Sequence, residues 1–170
     1  MKKKNHKIRI YACIIFLAII QIASCTENKN TNETNQNTAP HDIVWIDDIQ
    51  QAYTKATNEN KNILINFTGS DWCYWCHRLD DEVFSQKEFV EYANENLILM
   101  VADFPRSIAQ TEELKTQNRT LAQRYEIRGY PTILAIDAQG NEIARTGYME
   151  GGAQKWVDAL HKNITENDKK

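Results

Sequence analysis

Two cysteines three residues apart, Cys73 and Cys76, are the residues whose type and spacing could do chemistry in this chain. They lie in the stretch SDWCYWCH, residues 70–77. C-x-x-C is the spacing of a dithiol that opens and closes as a disulfide. With His77 the same letters read C-x-x-C-H, the attachment motif of a c-type haem. The stretch therefore allows two chemistries, thiol–disulfide exchange and haem-based electron transfer.

The position of Cys73 favours thiol chemistry. It follows an apolar, strand-like run by a short loop and begins a predicted helix. The first turn of a helix presents unpaired N–H groups and a partial positive charge, which stabilise a thiolate, and the thiolate is the nucleophile. Cys76 lies one turn further on the same face, so it can resolve a mixed disulfide formed at Cys73. We expect Cys73 to be the more exposed sulfur and Cys76 the deeper one.

The N-terminus has the layout of an export signal. Five basic residues and no acid lie in residues 1–9, and the apolar run IYACIIFLAIIQIA follows. This charged-then-apolar order is typical of a secretory signal and the run is short for a membrane span. The stretch Ile22-Ala23-Ser24-Cys25 resembles the lipobox of bacterial lipoproteins, which implies cleavage after residue 24 and a lipid on Cys25. Ordinary signal cleavage and an uncleaved anchor are the alternatives.

The remaining cysteines argue against a structural disulfide. The chain has 170 residues and four cysteines. Cys13 lies in the predicted signal and Cys25 would carry the lipid, which leaves Cys73 and Cys76. A bond between these two closes a very small loop, and small loops give the least entropic stabilisation. A redox role therefore explains the pair better than a structural one.

Composition divides the rest of the chain. Residues 25–42 are rich in Asn and Thr, so they are predicted to be a flexible tether. A folded domain over 43–165 and a polar tail over 166–170 follow. Without residues 1–24 the chain keeps 15 basic against 23 acidic residues, a formal charge of −8. Nucleic-acid binding needs a basic surface, so we expect no nucleic-acid partner.

Hydrophobic periodicity predicts an α/β domain. The predicted helices cover residues 47–58, 73–83, 86–95, 110–126 and 153–164, and the predicted strands cover 62–67, 97–104, 131–137 and 142–148. Continuous apolar strands between helices indicate a central sheet with helices on both faces. The last two strands are joined by a short turn and should pair antiparallel, which makes the sheet of about four to five strands mixed.

Several motifs together resemble the thioredoxin superfamily, in particular its extracytoplasmic thioredoxin-like members. They are DWCYWCH at a strand-to-helix junction, DEVFSQKEF, LAQRYEIRGYPT and DAQGNEI, and the resemblance covers about residues 43–165. It implies a thioredoxin-like fold with Cys73 as the attacking and Cys76 as the resolving cysteine of a redox-active disulfide. It also implies that Trp72 packs beside the active site and that Pro131 is cis and faces the disulfide.

The chain departs from thioredoxins proper at the active site. Tyr74-Trp75 stands where thioredoxins have Gly-Pro, and Asn66 stands where they have a buried Asp. Asn66 cannot accept a proton from the resolving thiol. Asp71 would be a substitute acid or a helix cap. His77, if protonated, would stabilise the Cys73 thiolate, and otherwise it is a solvated residue on the helix.

The aromatic residues Tyr74, Trp75 and Tyr130 are expected to form a docking surface for protein disulfide substrates. The same surface would also suit a module that binds unfolded proteins without catalysis.

The haem and zinc alternatives each need further ligands. A haem bound at His77 would need a second axial ligand, and Met100, Met149 and His161 are the candidates. A zinc site needs about four ligands, whereas the motif offers three on one turn.

The sequence therefore predicts a thiol–disulfide oxidoreductase without cofactor or metal, held at a bacterial membrane through Cys25. In an oxidising compartment a dithiol stays reduced only with an electron donor, so a membrane thiol-transfer partner is expected. The prediction favours a reductase or isomerase.

Overall fold

The structure, a computed structural model, describes residues 43–167. The predicted signal over 1–24, the lipid site at Cys25 and the tether over 25–42 lie outside the described residues. The elements in chain order are β1 Trp45–Ile46, α1 Ile49–Glu59, β2 Asn62–Thr68, α2 Tyr74–Leu79 continuing into a π-helical turn Asp80–Phe84, α3 Lys87–Asn96, β3 Leu97–Asp103, α4 Glu112–Arg124, β4 Thr132–Ile136, β5 Glu142–Thr146 and α5 Gly152–Asn167.

The five strands form one mixed sheet in the order β1-β3-β2-β4-β5. β1 and β2 run parallel to β3, and β4 runs antiparallel to both β2 and β5. The mixed sheet and the antiparallel pairing of the last two strands are thus confirmed. β1 was not predicted, because two residues are too short to show a hydrophobic period.

Helices cover both faces of the sheet, as its apolar central strands require. One face packs with α1 and α4 around Ile65 and Met100. The other face packs with the π-helical turn, α3 and α5 around Leu64 and Leu99. Alternate residues of β2 therefore serve opposite layers, and Asn66 and Thr68 fall in the series that faces α2 and its π-helical turn.

Trp156 on α5 is the centre of the second layer. It is 1% exposed, and its ring centroid lies 5.6 Å from that of Phe84 and 5.8 Å from that of Phe89. Its indole N–H donates to the carbonyl oxygen of Gly147 at 2.9 Å. This bond ties the loop after β5 to α5. The prediction of a strand over 142–148 is wrong at its end, because the chain leaves the sheet after Thr146.

The helix predicted over 73–83 changes type along its length. Residues 74–79 are α-helical and residues 80–84 form the π-helical turn. Such turns inside helices occur often at functional sites.

The last helix extends to Asn167 and so includes the first two residues of the predicted polar tail. In the part of the chain that the structure describes, no helix has the length and apolar character needed to cross a membrane.

Candidate active site

The cysteine pair lies where a tight turn connects β2 to α2. The backbone N–H groups of Trp72 and Cys73 both donate to the carbonyl oxygen of Gly69, at 3.1 and 2.8 Å. Cys73 then caps α2, and its sulfur accepts the N–H of Cys76 at 3.3 Å. The strand, the turn and the helix start thus place a sulfur at a helix end where backbone donors favour its anionic form.

Cys73 and Cys76 are joined by a disulfide. Cys73 is 5% exposed and Cys76 is 1% exposed, so the order of exposure follows the expectation while both residues are buried. Cys73 is thus the more accessible of the two sulfurs, and Cys76 is the deeper one.

Tyr130 and Pro131 begin β4 beside the active-site turn. The Tyr130–Pro131 peptide bond is cis, which is the geometry that the resemblance implies. The Tyr130 ring meets Trp72 edge to face, with centroids 5.7 Å apart, and packs against Phe104 at 5.3 Å. Burial raises the pKa of the Tyr130 hydroxyl. Residues that are distant in sequence thus meet at Trp72, the residue before Cys73.

Trp72 is held by the loop that follows β3. Its indole N–H donates to the carbonyl oxygen of Phe104 at 2.8 Å, and the Arg106 guanidinium lies 4.1 Å from its ring centroid. The carboxylate of Asp71 accepts the backbone N–H groups of Arg106 at 2.9 Å and Ser107 at 2.6 Å. These bonds hold the pKa of Asp71 below its usual value. Asp71 is therefore an anchor for this loop and not the helix cap, a role that Cys73 takes.

His77 lies on the exposed side of α2. Its Nε2 is 2.7 Å from the carbonyl oxygen of Ser70, which fixes Nε2 as the donor. Ser70 in turn donates its backbone N–H and its hydroxyl to the carboxylate of Asp103, at 2.9 and 2.5 Å. His77 is thereby tied back to the turn before Cys73.

A cluster of aromatic and charged side chains surrounds Trp75; we call Trp75, Arg78, Glu82 and Tyr148 the Trp75 cluster. The rings of Trp75 and Tyr148 lie 5.1 Å apart, and the Arg78 guanidinium is 5.5 and 5.1 Å from their centroids. Glu82 accepts from Arg78 Nε at 2.7 Å and from the Tyr148 hydroxyl at 2.7 Å. The Tyr148 bond, followed by that from Arg78, lowers the pKa of Glu82.

Two aromatic side chains project from this region into solvent. Tyr74 is 64% exposed and Trp75 is 47% exposed, and their rings pack edge to face at 5.2 Å. Large exposed aromatics next to a reactive group are a common feature of interaction surfaces.

A groove of about 660 Å³ opens at the carboxyl ends of β2 and β3, on the side of the π-helical turn. Trp45, Phe84 and Val101 contribute apolar walls, and Asn66 and Asp80 contribute polar groups. Asn66 is 5% exposed, and its Oδ1 has no hydrogen-bond partner among residues 43–167.

The sequence did not single out Asp80, Arg106 or the Trp75 cluster partners Arg78, Glu82 and Tyr148. Asp80 stands four residues after Cys76, and that helical spacing was the sequence signal that could have placed it near the cysteine pair. Tyr148 meets Glu82 across 66 residues of sequence, so no local pattern marks it.

The alternative ligands do not converge on the motif. Met100 is fully buried with the layer of α1 and α4, on the face of the sheet away from α2. Met149 packs in the layer of α5, and His161 lies on α5 against Tyr92. Over residues 43–167 no group of three or more His, Cys, Asp or Glu side chains is placed to hold a metal ion.

Comparison with known proteins agrees with this geometry. Residues 49–163 match the family model of a thioredoxin-like domain. The disulfide bond reductase DsbH of Chlamydia pneumoniae is 31% identical over 146 residues, which cover 84% of this chain and 87% of that protein. A solved structure of DsbH oxidoreductase, 31% identical, superposes with a TM-score of 0.71 over 79% of this chain and 95% of the other.

A larger relative shares only this domain. The thiol:disulfide interchange protein DsbD of Haemophilus influenzae is 28% identical over 139 residues, which cover 78% of this chain but 19% of DsbD. The chain thus spans about a fifth of that protein. The disulfide at the end of β2, the mixed sheet and these matches lead to one conclusion: the chain belongs to the thioredoxin-like family and is a thiol–disulfide oxidoreductase of the DsbH and DsbD type.

Proposed function

We propose that this protein reduces or isomerises disulfide bonds in extracytoplasmic proteins, with Cys73 as the nucleophile and Cys76 as the resolving thiol. The observation that carries the proposal is the sulfur of Cys73 at the start of α2, where it accepts the N–H of Cys76. A thiolate at that position is stabilised and is the reactive form.

The reaction proceeds by two exchanges. The Cys73 thiolate attacks one sulfur of a substrate disulfide, and the other substrate sulfur leaves as a thiolate. The Cys76 thiolate then attacks the sulfur of Cys73 and releases the second substrate thiolate. Two electrons pass to the substrate, and the Cys73–Cys76 disulfide remains. Isomerisation results when a substrate thiolate, in place of Cys76, attacks the mixed disulfide.

The direction of electron flow rests on the similarity to a named reductase and on the cell compartment. Reduction requires that a donor return the Cys73–Cys76 pair to its dithiol form. The relation to thiol:disulfide interchange proteins supports a membrane thiol-transfer donor. The export signal and the lipobox-like stretch support a lipid on Cys25 and a position in the bacterial cell envelope, facing the periplasm or exterior.

Substrate proteins would dock on the aromatic surface formed by Trp72, Tyr74, Trp75, Tyr130 and Pro131. The exposure of Tyr74 and Trp75 and the packing of Tyr130 on Trp72 support this assignment. Aromatic side chains supply large contact areas at low entropic cost.

Insulin reduction by the prereduced protein tests the proposal, with Cys73→Ser and Cys76→Ser as variants. We expect Cys73→Ser to abolish turnover, whereas Cys76→Ser should trap mixed disulfides. Binding of unfolded protein without turnover, unchanged in Cys73→Ser, would instead identify a docking module. A potential of the Cys73–Cys76 pair above about −180 mV, measured against glutathione, would contradict the reductase direction.

A further inference from the structure

A positive charge that is not neutralised within the described chain lies beside the disulfide. The guanidinium of Arg106 is 4.1 Å from the ring centroid of Trp72, the residue before Cys73. Arg106 is exposed, and within residues 43–167 its guanidinium has neither an ion-pair partner nor a hydrogen-bond partner. A guanidinium carries five N–H donors and no acceptor, so this side chain presents unused donors to solvent.

The loop after β3 fixes the place at which this charge is presented. The Asp71 carboxylate accepts the backbone N–H of Arg106 at 2.9 Å and that of Ser107 at 2.6 Å. The indole of Trp72 is in turn held by its bond to the carbonyl oxygen of Phe104. A guanidinium that rests on an aromatic ring is attracted to the ring and can still donate hydrogen bonds. Arg106 therefore has less freedom to lose when a partner binds it.

Two further arginines lie near the active site, and each is paired with a carboxylate. Arg78, on α2, forms an ion pair with Glu82. Arg128, two residues before Tyr130, forms one with Glu126. Of these three arginines, Arg106 is thus the one whose charge is left for a partner.

The domain that carries this guanidinium is acidic. Residues 43–167 contain 12 Lys and Arg against 19 Asp and Glu, a formal charge of −7. A domain of this charge repels acidic proteins at long range. At physiological salt the Debye length is about 8 Å, so a contact with Arg106 acts at short range. Arg106 is therefore suited to recognise one carboxylate at the contact, and not to steer an acidic protein towards the site.

We infer that Arg106 is a specificity-determining residue that binds the carboxylate of an Asp or Glu close in sequence to the reacting cysteine of a substrate protein. The inference deepens the proposed function and depends on it. An extended chain advances about 3.3–3.6 Å per residue, so a carboxylate one or two residues from a sulfur held at Cys73 reaches the neighbourhood of Trp72. There the guanidinium and the carboxylate can form two parallel N–H···O bonds, which are stronger than bonds between neutral groups.

Matched peptide disulfides test this preference. In each pair of peptides, one has Glu and the other the similarly shaped Gln at a single position, one or two residues before or after the reacting cysteine. The second-order rate constant of reduction by the prereduced full-length protein is measured at about 0.15 M salt. At the position that faces Arg106, the ratio of the Glu rate to the Gln rate should be about 3–10-fold lower in Arg106→Gln than in the wild type. This double comparison isolates the pairwise contact.

Two further variants and a salt series make the result specific. Arg106→Lys keeps the charge without the planar fork, so its ratio should lie between those of the wild type and Arg106→Gln. Lys55→Gln removes one positive charge from α1, in a groove with Lys61 and Leu97 where β2 and β3 begin, at the other end of the sheet from Cys73. Its ratio should equal that of the wild type. In the wild type the ratio should fall as salt rises to about 1 M.

Equal ratios in the wild type and Arg106→Gln at every position would overturn the inference, because any loss of rate would then come from Cys73 or the loop and not from a contact with a carboxylate. The same fall in Lys55→Gln would also overturn it. If Arg106→Gln fails to fold, Arg106→Lys and the salt series still test the inference, and a wild-type ratio that stays constant or rises with salt contradicts it. Failure of the proposed function looks different, since the wild type would then reduce none of the peptides.

Discussion

At the scale of single residues, the hydrogen bond that the structure shows to the sulfur of Cys73 comes from a backbone donor and not from a charged side chain. Its sulfur accepts the N–H of Cys76, whereas Asp71 and His77, the charged candidates nearest in sequence, bind backbone groups of the loop after β3 and of Ser70. Backbone donors hold their position in the fold, so they stabilise a thiolate without side-chain rearrangement. For the nucleophilic role proposed for Cys73, the placement of the 69–73 turn is therefore decisive.

Gly69 is the residue of this turn at which a side chain has no space. A Cβ atom at Gly69 would overlap the indole of Trp72, which the Phe104 carbonyl and the Arg106 guanidinium hold in place. We expect Gly69→Ala to destabilise the protein by about 1–3 kcal/mol and to slow insulin reduction, since Trp72 or the turn must move. Chemical denaturation and turnover measure the two effects.

Gly129 provides the matched control, because it lies just before Tyr130 and a Cβ there meets no atom within 4 Å. Gly129→Ala should keep wild-type stability within about 0.5 kcal/mol. Equal behaviour of the two alanine variants would show that Trp72 does not restrict residue 69.

At the scale of elements, the sequence predicted the parts with long periodic patterns and missed those set by distant contacts. The central strands and helices were predicted because apolar runs and stripes extend over many residues. The π-helical turn was missed because its residues continue the same helical pattern as α2. The site follows the same rule: the cysteine pair is a local motif, whereas Tyr148 and Glu82 are 66 residues apart in sequence and meet only in the tertiary fold.

Tyr148 couples the loop after β5 to the π-helical turn and to Trp75. Tyr148→Phe keeps the ring that packs on Trp75 but removes the hydroxyl that donates to Glu82. We expect a several-fold higher KM for insulin with an unchanged rate on a small disulfide, because the proposed docking surface loosens while the sulfurs stay in place. The variant should also unfold at a slightly lower denaturant concentration, because it lacks this hydrogen bond.

The comparison for this change is Tyr92→Phe, which removes a tyrosine hydroxyl on α3, 3.4 Å from His161 Nδ1 and outside the proposed docking surface. Tyr92→Phe should leave KM unchanged. Equal KM values for both variants would mean that the Glu82 bond does not order the docking surface.

The loop after β3 is a second element that the active site depends on. Asp71→Ala removes the acceptor of the Arg106 and Ser107 N–H groups. Hydrogen exchange of those two amides should become faster, since they lose their protection. Glu113→Ala, on the exposed side of α4, should leave their exchange unchanged; slow exchange in Asp71→Ala would show that other contacts hold the loop.

At the scale of the whole molecule, some carboxyl groups have lowered and one has a raised pKa in the folded state, and they change stability with pH in opposite directions. Asp71 and Glu82 have lowered pKa values in the folded state because of the N–H groups of the loop and of the Tyr148 and Arg78 donors, respectively. Their contributions are present above the unfolded pKa values of 3.8 and 4.5 and are lost as the pH falls through the folded values. The protein should therefore lose stability in acid.

Asp80 acts in the opposite direction. Because desolvation raises its pKa to about 6 from 3.8, its ionisation disfavours the folded state. The penalty is absent below pH 3.8, grows between the two values and is complete above about 6. We therefore expect Asp80→Asn to unfold at higher denaturant concentration than the wild type at pH 7, with an advantage that shrinks towards pH 4.

Asp81→Asn should shift stability by no more than about 0.5 kcal/mol at either pH, since Asp81 is exposed. An Asp80→Asn variant that is less stable than the wild type at pH 7, or whose advantage does not depend on pH, would contradict the desolvated carboxyl.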